Sequence, residues 1–325
     1  MDELYAGVDL GGTTIWCALA DRDGNIVCDS QIDTDAHEGP KAVLDRIGDV
    51  VEALSAKAQK RPVGLGMGVP GVVDLKTGVT KFLPNLPTLW RDIEAGKILS
   101  ERIGCTVRLL NDVRMATLGE LTFGWGRSAP TLVFFALGTG IGGGITVDGK
   151  LRLGPLGEAG ELGHQTVMTD GPLCGCGNRG CMETLAAGPA IAAEGVRLMR
   201  TNLAPKLYDL VGGDPGKVTP KEMADAAEAG DEAVRVGIYR AADYLAVGVA
   251  NMVTALHPDV VVLGGGVAEM GDILMDRVRE SVRDRVRMIP ADQIRIERSQ
   301  LGEKAGLLGA VALASRGYGT EDNDQ

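Results

Sequence analysis

The chain has 325 residues, 45% of them apolar and 24% charged, with a formal net charge of −11. At roughly 150 residues per domain, this length allows about two domains with ample cores; it excludes a disulfide-stapled miniprotein, wholesale disorder and a coiled-coil rod. The surplus of 44 acidic over 33 basic side chains opposes non-specific binding to nucleic acid or to an anionic membrane.

Residues 4–20 read as two strands pinched by Gly11 and Gly12, and Asp21 to Asn25 form the next turn of an opening β-meander. Val43, Leu44, Ile47, Val50, Val51 and Leu54 recur at helical spacing and predict a helix over 41–58, ahead of a strand at 63–69. The Gly-, Pro- and Asn-rich stretch 70–87 reads as loop with one hairpin, followed by a helix at 91–103 and a strand at 106–110. A helix then runs from Asn111 to about Phe123, and Thr131 to Leu137 forms a strand that enters a second glycine hairpin at 138–144. After a Gly/Pro/Cys-rich loop at 149–181, helices are expected at 185–200, 219–229 and 231–256. Val260 to Leu263 is a short buried strand, Gly264 to Gly266 turns, a helix follows over 271–285, and a last strand and helix fill 293–315. The stretch 202–220 carries no motif, and the acidic tail 317–325 reads as disordered. The start has no basic and apolar leader, and no run reaches the roughly 18 apolar residues of a membrane span. The expectation is a soluble cytoplasmic protein.

Glycine, at 47 residues, is about twice as frequent as usual and asks for tight turns or close approach to a ligand. Two stretches, 66–71 and 138–143, match the G-x-G-x-x-G dinucleotide pattern. Both run on into strands, whereas the dinucleotide fingerprint needs its last glycine to open a helix. No P-loop is present either. Backbone amides of a glycine hairpin still form a concavity for phosphate oxygens. Asp9-Leu10-Gly11-Gly12-Thr13-Thr14 offers such amides, two hydroxyls and a carboxylate suited to Mg²⁺. In isolation the loop reads as an ordinary turn. Together with Gly138-Thr139-Gly140 and with Gly264-Gly265-Gly266, which opens a helix, it points to a nucleotide.

His164, Cys174, Cys176 and Cys181 follow the spacing H-x9-C-x-C-x4-C. One imidazole and three thiolates suit tetrahedral Zn²⁺ with no open position, hence a structural ion. Cys17, Cys28 and Cys105 sit in apolar segments and read as buried thiols. Asn111-Asp112 stands at a strand-to-helix switch, where a carboxylate serves either as the cap of the following helix or as a base in a cleft.

These motifs, with Gly160-Glu161-Leu162-Gly163-His164, Cys174 to Glu183 and Val262 to Val267, resemble in their order the ROK sugar kinases, over almost the whole chain. The resemblance implies a two-domain α/β fold of the actin/hexokinase/Hsp70-like (ribonuclease H-like) type with an interdomain cleft. It implies ATP-dependent phosphorylation of a hexose, most often glucose, at the 6-hydroxyl. Asp112 would be the base, and Asn111, Glu161, His164 and Glu183 would bind sugar. Pro84 to Trp90 is similar to the family's Asn-Leu-x-Gly-Trp segment, although Pro87-Thr88-Leu89 replaces the shorter Gly-containing spacing, and the resemblance implies that Asn85 would be its sugar ligand. Domains are expected at 1–112 and 113–302, the latter with the zinc loop 164–183, while the helix 303–316 packs back on the first. The resemblance also implies Mg²⁺ with ATP, and a homodimer or homotetramer. Other substrates in view are N-acetylmannosamine, fructose, allose or, as donor, polyphosphate. A sugar-responsive repressor of the same family would carry an N-terminal DNA-binding module, whereas this chain enters its first strand at about Leu4.

Overall fold

A computed structural model describes residues 3–88 and 90–319, and the chain divides into two compact units. Unit 1 holds the chain up to Leu132, Gly144–Gly160 and everything from Ser299; unit 2 holds Val133–Gly143 and Glu161–Arg298. The units therefore do not divide at Asp112, because the helix that follows it packs within unit 1.

In unit 1, β1 (Tyr5–Leu10), β2 (Thr14–Ala20) and β3 (Ile26–Asp33) form the expected meander. Helix α1 (Pro40–Ala58) buries Val43, Leu44, Ile47, Val51 and Leu54, the stripe read from the sequence. Strand β4 (Gly64–Val69) pairs parallel with β1, and a ribbon of β5 (Val72–Asp74) and β6 (Val79–Phe82) follows. Helix α2 (Ala95–Ile103) starts later than the predicted 91. Ile93 exchanges backbone hydrogen bonds of 2.9 and 3.2 Å with Thr80, and this bridge holds the preceding residues out of the helix. Strand β7 (Thr106–Asn111) completes a five-stranded sheet of order β3-β2-β1-β4-β7, and α3 (Asp112–Phe123) begins at the very next residue.

The C-terminal helix Ala305–Arg316 is buried from Ala305 through Ala314 and lies against β1, β4 and α3. Its backbone comes so close that a Cβ on Gly66 would stand 2.0 Å from the Ala310 carbonyl oxygen, and one on Gly309 would stand 1.8 Å from that of Met115. Part of the glycine surplus thus serves packing between backbones, a use the sequence reading assigned to turns and ligands. The chain stays ordered past this helix: Tyr318 is buried and its hydroxyl donates to the Leu75 carbonyl at 2.8 Å. The rest of the acidic tail expected to be disordered, from residue 320, lies outside the described residues.

Unit 2 is built on β8 (Leu132–Leu137) and β9 (Ile141–Val147), which enter it from and leave it to unit 1. Beyond Gly143, β9 pairs in unit 1 with β10 (Lys150–Leu151). Within unit 2 come α4 (Glu183–Ala186), α5 (Gly188–Arg200), α6 (Pro205–Leu210), α7 (Pro220–Glu228) and α8 (Glu232–Leu256). Then follow β11 (Val260–Gly264), α9 (Asp272–Arg285) and β12 (Ile296–Arg298), with sheet order β9-β8-β11-β12; the C-terminal helix is α10. The helix predicted over 185–200 is two helices. Pro189 begins a helix readily but cannot continue one, and Ala187 is extended at ψ 163°. Helix α6 occupies the stretch that carries no sequence motif.

Candidate active site

The tip of the β1–β2 hairpin is the first glycine loop. Gly11 N–H donates to the Thr14 carbonyl at 2.9 Å, and Thr34 closes the loop from behind by donating its N–H to Thr13 and its hydroxyl to Gly11. Gly12 and Thr13 are left exposed at the tip. Asp9, at the start of this turn, faces the first turn of α10, where a Cβ on Gly306 would lie 2.5 Å from its Oδ2. Burial pushes the Asp9 carboxyl up to about 6. A desolvated carboxylate of this kind gains most from a cation. The backbone of Asn85 runs beside the same loop, its carbonyl oxygen 3.5 Å from where a Gly12 Cβ would be, and its side chain is exposed.

Asn111 ends β7 and caps α3. Its Oδ1 accepts from the N–H groups of Val113 (3.1 Å) and Arg114 (3.3 Å), and its Nδ2 donates to the Gly71 carbonyl at 3.3 Å. The capping role weighed in the sequence therefore belongs to Asn111. Asp112 is the first residue of the helix and half-buried; its Oδ1 accepts from Val113 N–H at 2.9 Å. Arg114, two residues on, is buried and was missed in the sequence. A cation in the first turn of a helix opposes the dipole, and that anomaly is the signal that marks it.

In unit 2 the second and third glycine loops meet. Val267 N–H donates to the Leu137 carbonyl at 3.0 Å, and a Cβ on Gly265, whose φ is 84°, would stand 2.5 Å from the same oxygen. Gly188 N–H donates to the Gly138 carbonyl at 2.9 Å. Gly264 to Gly266 turn as expected, a short turn at Ala268–Met270 follows, and the helix expected over 271–285 is α9. Glu183, expected as a sugar carboxylate, is tied to the second loop, where its Oε2 accepts from Ile141 N–H at 2.8 Å. A Cβ on Gly140 would lie 2.5 Å from that oxygen, so glycine there makes room for the carboxylate.

His164, Cys174, Cys176 and Cys181 converge, with their ligand atoms all within 4.8 Å of one another. Cys174 Sγ lies 3.6 Å from His164 Nδ1, and Cys176 Sγ lies 3.7 Å from Cys181 Sγ. A tetrahedral zinc with Zn–S bonds of ~2.3 Å has S···S edges of about 3.8 Å, so the cluster fits that ion. His164 Nδ1 is the nitrogen that would bind it. Its Nε2 is 3.9 Å from Glu161 Oε2, beyond hydrogen-bond reach. The loop closes through Cys174 N–H to the Asn178 carbonyl (2.7 Å) and Met182 N–H to the Gln165 carbonyl (2.9 Å), and Glu183 starts α4 two residues after Cys181. The metal would therefore brace the residue that holds the second glycine loop. Cys17, Cys28 and Cys105 lie outside this cluster; Cys17 and Cys28 are buried as expected, whereas Cys105 is half-buried.

The profile described as ROK family matches residues 5–317. The chain is 37% identical over 316 residues to a glucokinase of Thermotoga maritima, covering 96% of this chain and 98% of that one. It is 35% identical over 320 residues to a glucokinase of Streptomyces coelicolor, covering 96% and 97%. A solved ROK family glucokinase of Streptomyces griseus, in complex with glucose and AMPPNP, matches with a TM-score of 0.82 at 32% identity over 96% of this chain and 99% of that one.

Proposed function

The chain belongs to the ROK family, and on that premise we propose that Asp112 is the base with which it phosphorylates the 6-hydroxyl of a hexose, glucose foremost. It is a hexokinase-type enzyme with the actin- and hexokinase-like α/β fold, and its donor substrate is magnesium-ATP. The observation that carries the reading is the place of Asp112 at the first position of α3, beside the Asn111 cap.

In the reaction the sugar oxygen attacks the γ-phosphorus, its proton passes to Asp112, and the bond to the β,γ-bridging oxygen of ATP breaks to release ADP. Proton transfer of this kind contributes about 10²–10⁴-fold; the rest comes from positioning and from charge stabilisation. The amides of the 11–14 loop, and those of the 138–140 and 264–266 loops, are each of the kind that binds phosphate oxygens. Asp9, desolvated, suits the magnesium of the substrate. Asn85, Asn111, Glu161 and His164 would take sugar hydroxyls, with His164 offering Nε2 while Nδ1 serves zinc. Glu183 offers its second oxygen.

Zinc supplies structure, not chemistry, in this reading, since four protein ligands leave no open position. The enzyme is further read as cytoplasmic, in keeping with six cysteines of which none is in a disulfide, and as a dimer or tetramer. Among the described residues no helix is long and apolar enough to cross a membrane. A coupled assay with ATP or polyphosphate across glucose, fructose, allose and N-acetylmannosamine tests the substrate. Turnover with glucose and ATP above all others is expected, and turnover with none of the hexoses would overturn the reading.

A further inference from the structure

Arg114 occupies the third position of α3 with 2% of its surface exposed. Both facts count against it, because the start of a helix repels a cation and burial strips the guanidinium of water. Its hydrogen bonds show what it is held for. Nε donates to the Ala159 carbonyl at 3.0 Å, Nη2 to the Glu158 carbonyl at 2.8 Å, and Nη1 to Asn111 Oδ1 at 3.1 Å. The planar fork serves three acceptors in three directions, which a lysine cannot do.

Two consequences follow within unit 1. Asn111 Oδ1 receives Arg114 Nη1 in addition to two backbone N–H groups. The amide cannot flip without placing its NH₂ against these donors, so Nδ2 is directed to Gly71 and its second hydrogen is held in one orientation. The same guanidinium grips the backbone of Glu158 and Ala159, immediately before Gly160-Glu161 in the chain. One side chain thus fixes both the cap beside Asp112 and the segment that leads into Glu161.

We propose that Arg114 is a positioning residue for the hexose: it sets the Asn111 amide and pins the 158–159 backbone without touching substrate itself. This rests on the reading of Asn111, Asp112 and Glu161 given above. Arg114→Met removes all three hydrogen bonds at similar volume, and Arg114→Lys retains the charge and reaches only part of the set. Loss of charge-assisted bonds of this kind should raise the hexose KM about 10- to 100-fold in the methionine variant, with the ATP KM held within about twofold. The lysine variant should fall between. Amide hydrogen exchange in 154–161 should quicken in both, a readout that needs no activity.

The assays are run well below the unfolding temperature, and where Arg114→Met fails to fold, Arg114→Lys decides. An unchanged hexose KM in a folded variant, equal rises in both KM values, or unaltered exchange at 154–161 would each overturn the proposal. Failure of the wild type to phosphorylate any hexose would instead overturn the functional reading, and the exchange experiment would still report whether Arg114 holds that segment.

Discussion

Asp9→Asn should make the ligand-free protein more stable while removing its activity. The Asp9 carboxyl titrates at about 6 in the folded chain instead of 3.8, and the cause is burial. Between these values the folded state binds a proton that the unfolded state has released, so stability falls as pH rises through the window. Above pH 6 the full penalty is present. A shift of about two pKa units, at about 1.4 kcal/mol each, sets it at no more than about 3 kcal/mol, since a half-buried side chain retains some water. Asparagine removes the charge at nearly constant volume. Calorimetry without magnesium or nucleotide should therefore show the variant more stable than wild type by up to about 3 kcal/mol at pH 7, with the advantage vanishing near pH 4. Magnesium-ATP should then raise the unfolding temperature of wild type more than that of the variant, because ligand binding to the folded state alone stabilises it. A variant no more stable at pH 7, or one whose advantage is the same at pH 4, would refute the reasoning.

Cys181→Ser should abolish stoichiometric zinc, read by elemental analysis, and lower the unfolding temperature, because the ion closes the loop that ends at Glu183. A metal-free variant of wild-type stability and activity would contradict this. Gly66→Ala should destabilise the fold by about 1–3 kcal/mol or more, since its methyl would stand 2.0 Å from the Ala310 carbonyl oxygen, a backbone atom and not the end of a flexible side chain. Denaturant melts would show the loss, and a neutral effect would mean that α10 shifts freely on the sheet.

Features written in contiguous residues were readable before the fold was known. The cysteine spacing placed four ligands that do converge, and the stripe from Val43 to Leu54 is the buried face of α1. Asn111-Asp112 at the end of a strand gave the right local geometry, although only the structure shows that Asn111 makes the cap. What stayed illegible depends on partners far away in the chain. Gly66 and Gly309 fall inside a predicted strand and a predicted helix, and nothing local shows why glycine is needed there until α10 is seen against β4 and α3. Arg114 meets carbonyls more than forty positions later, so no local pattern names its partners. Glu183 reads as a sugar ligand by motif, yet one of its oxygens is spent on Ile141. The boundary drawn after Asp112 missed that α3 buries its side against α10 from the other end of the chain.

The proton-accepting role of Asp112 is tested most directly by measuring kcat and hexose affinity together in Asp112→Asn. Asparagine preserves the helix start but cannot take the proton, so kcat should fall by about 10²–10⁴-fold while hexose binding, followed by calorimetric titration, stays within a few fold of wild type. Turnover close to wild type in that variant would contradict the mechanism.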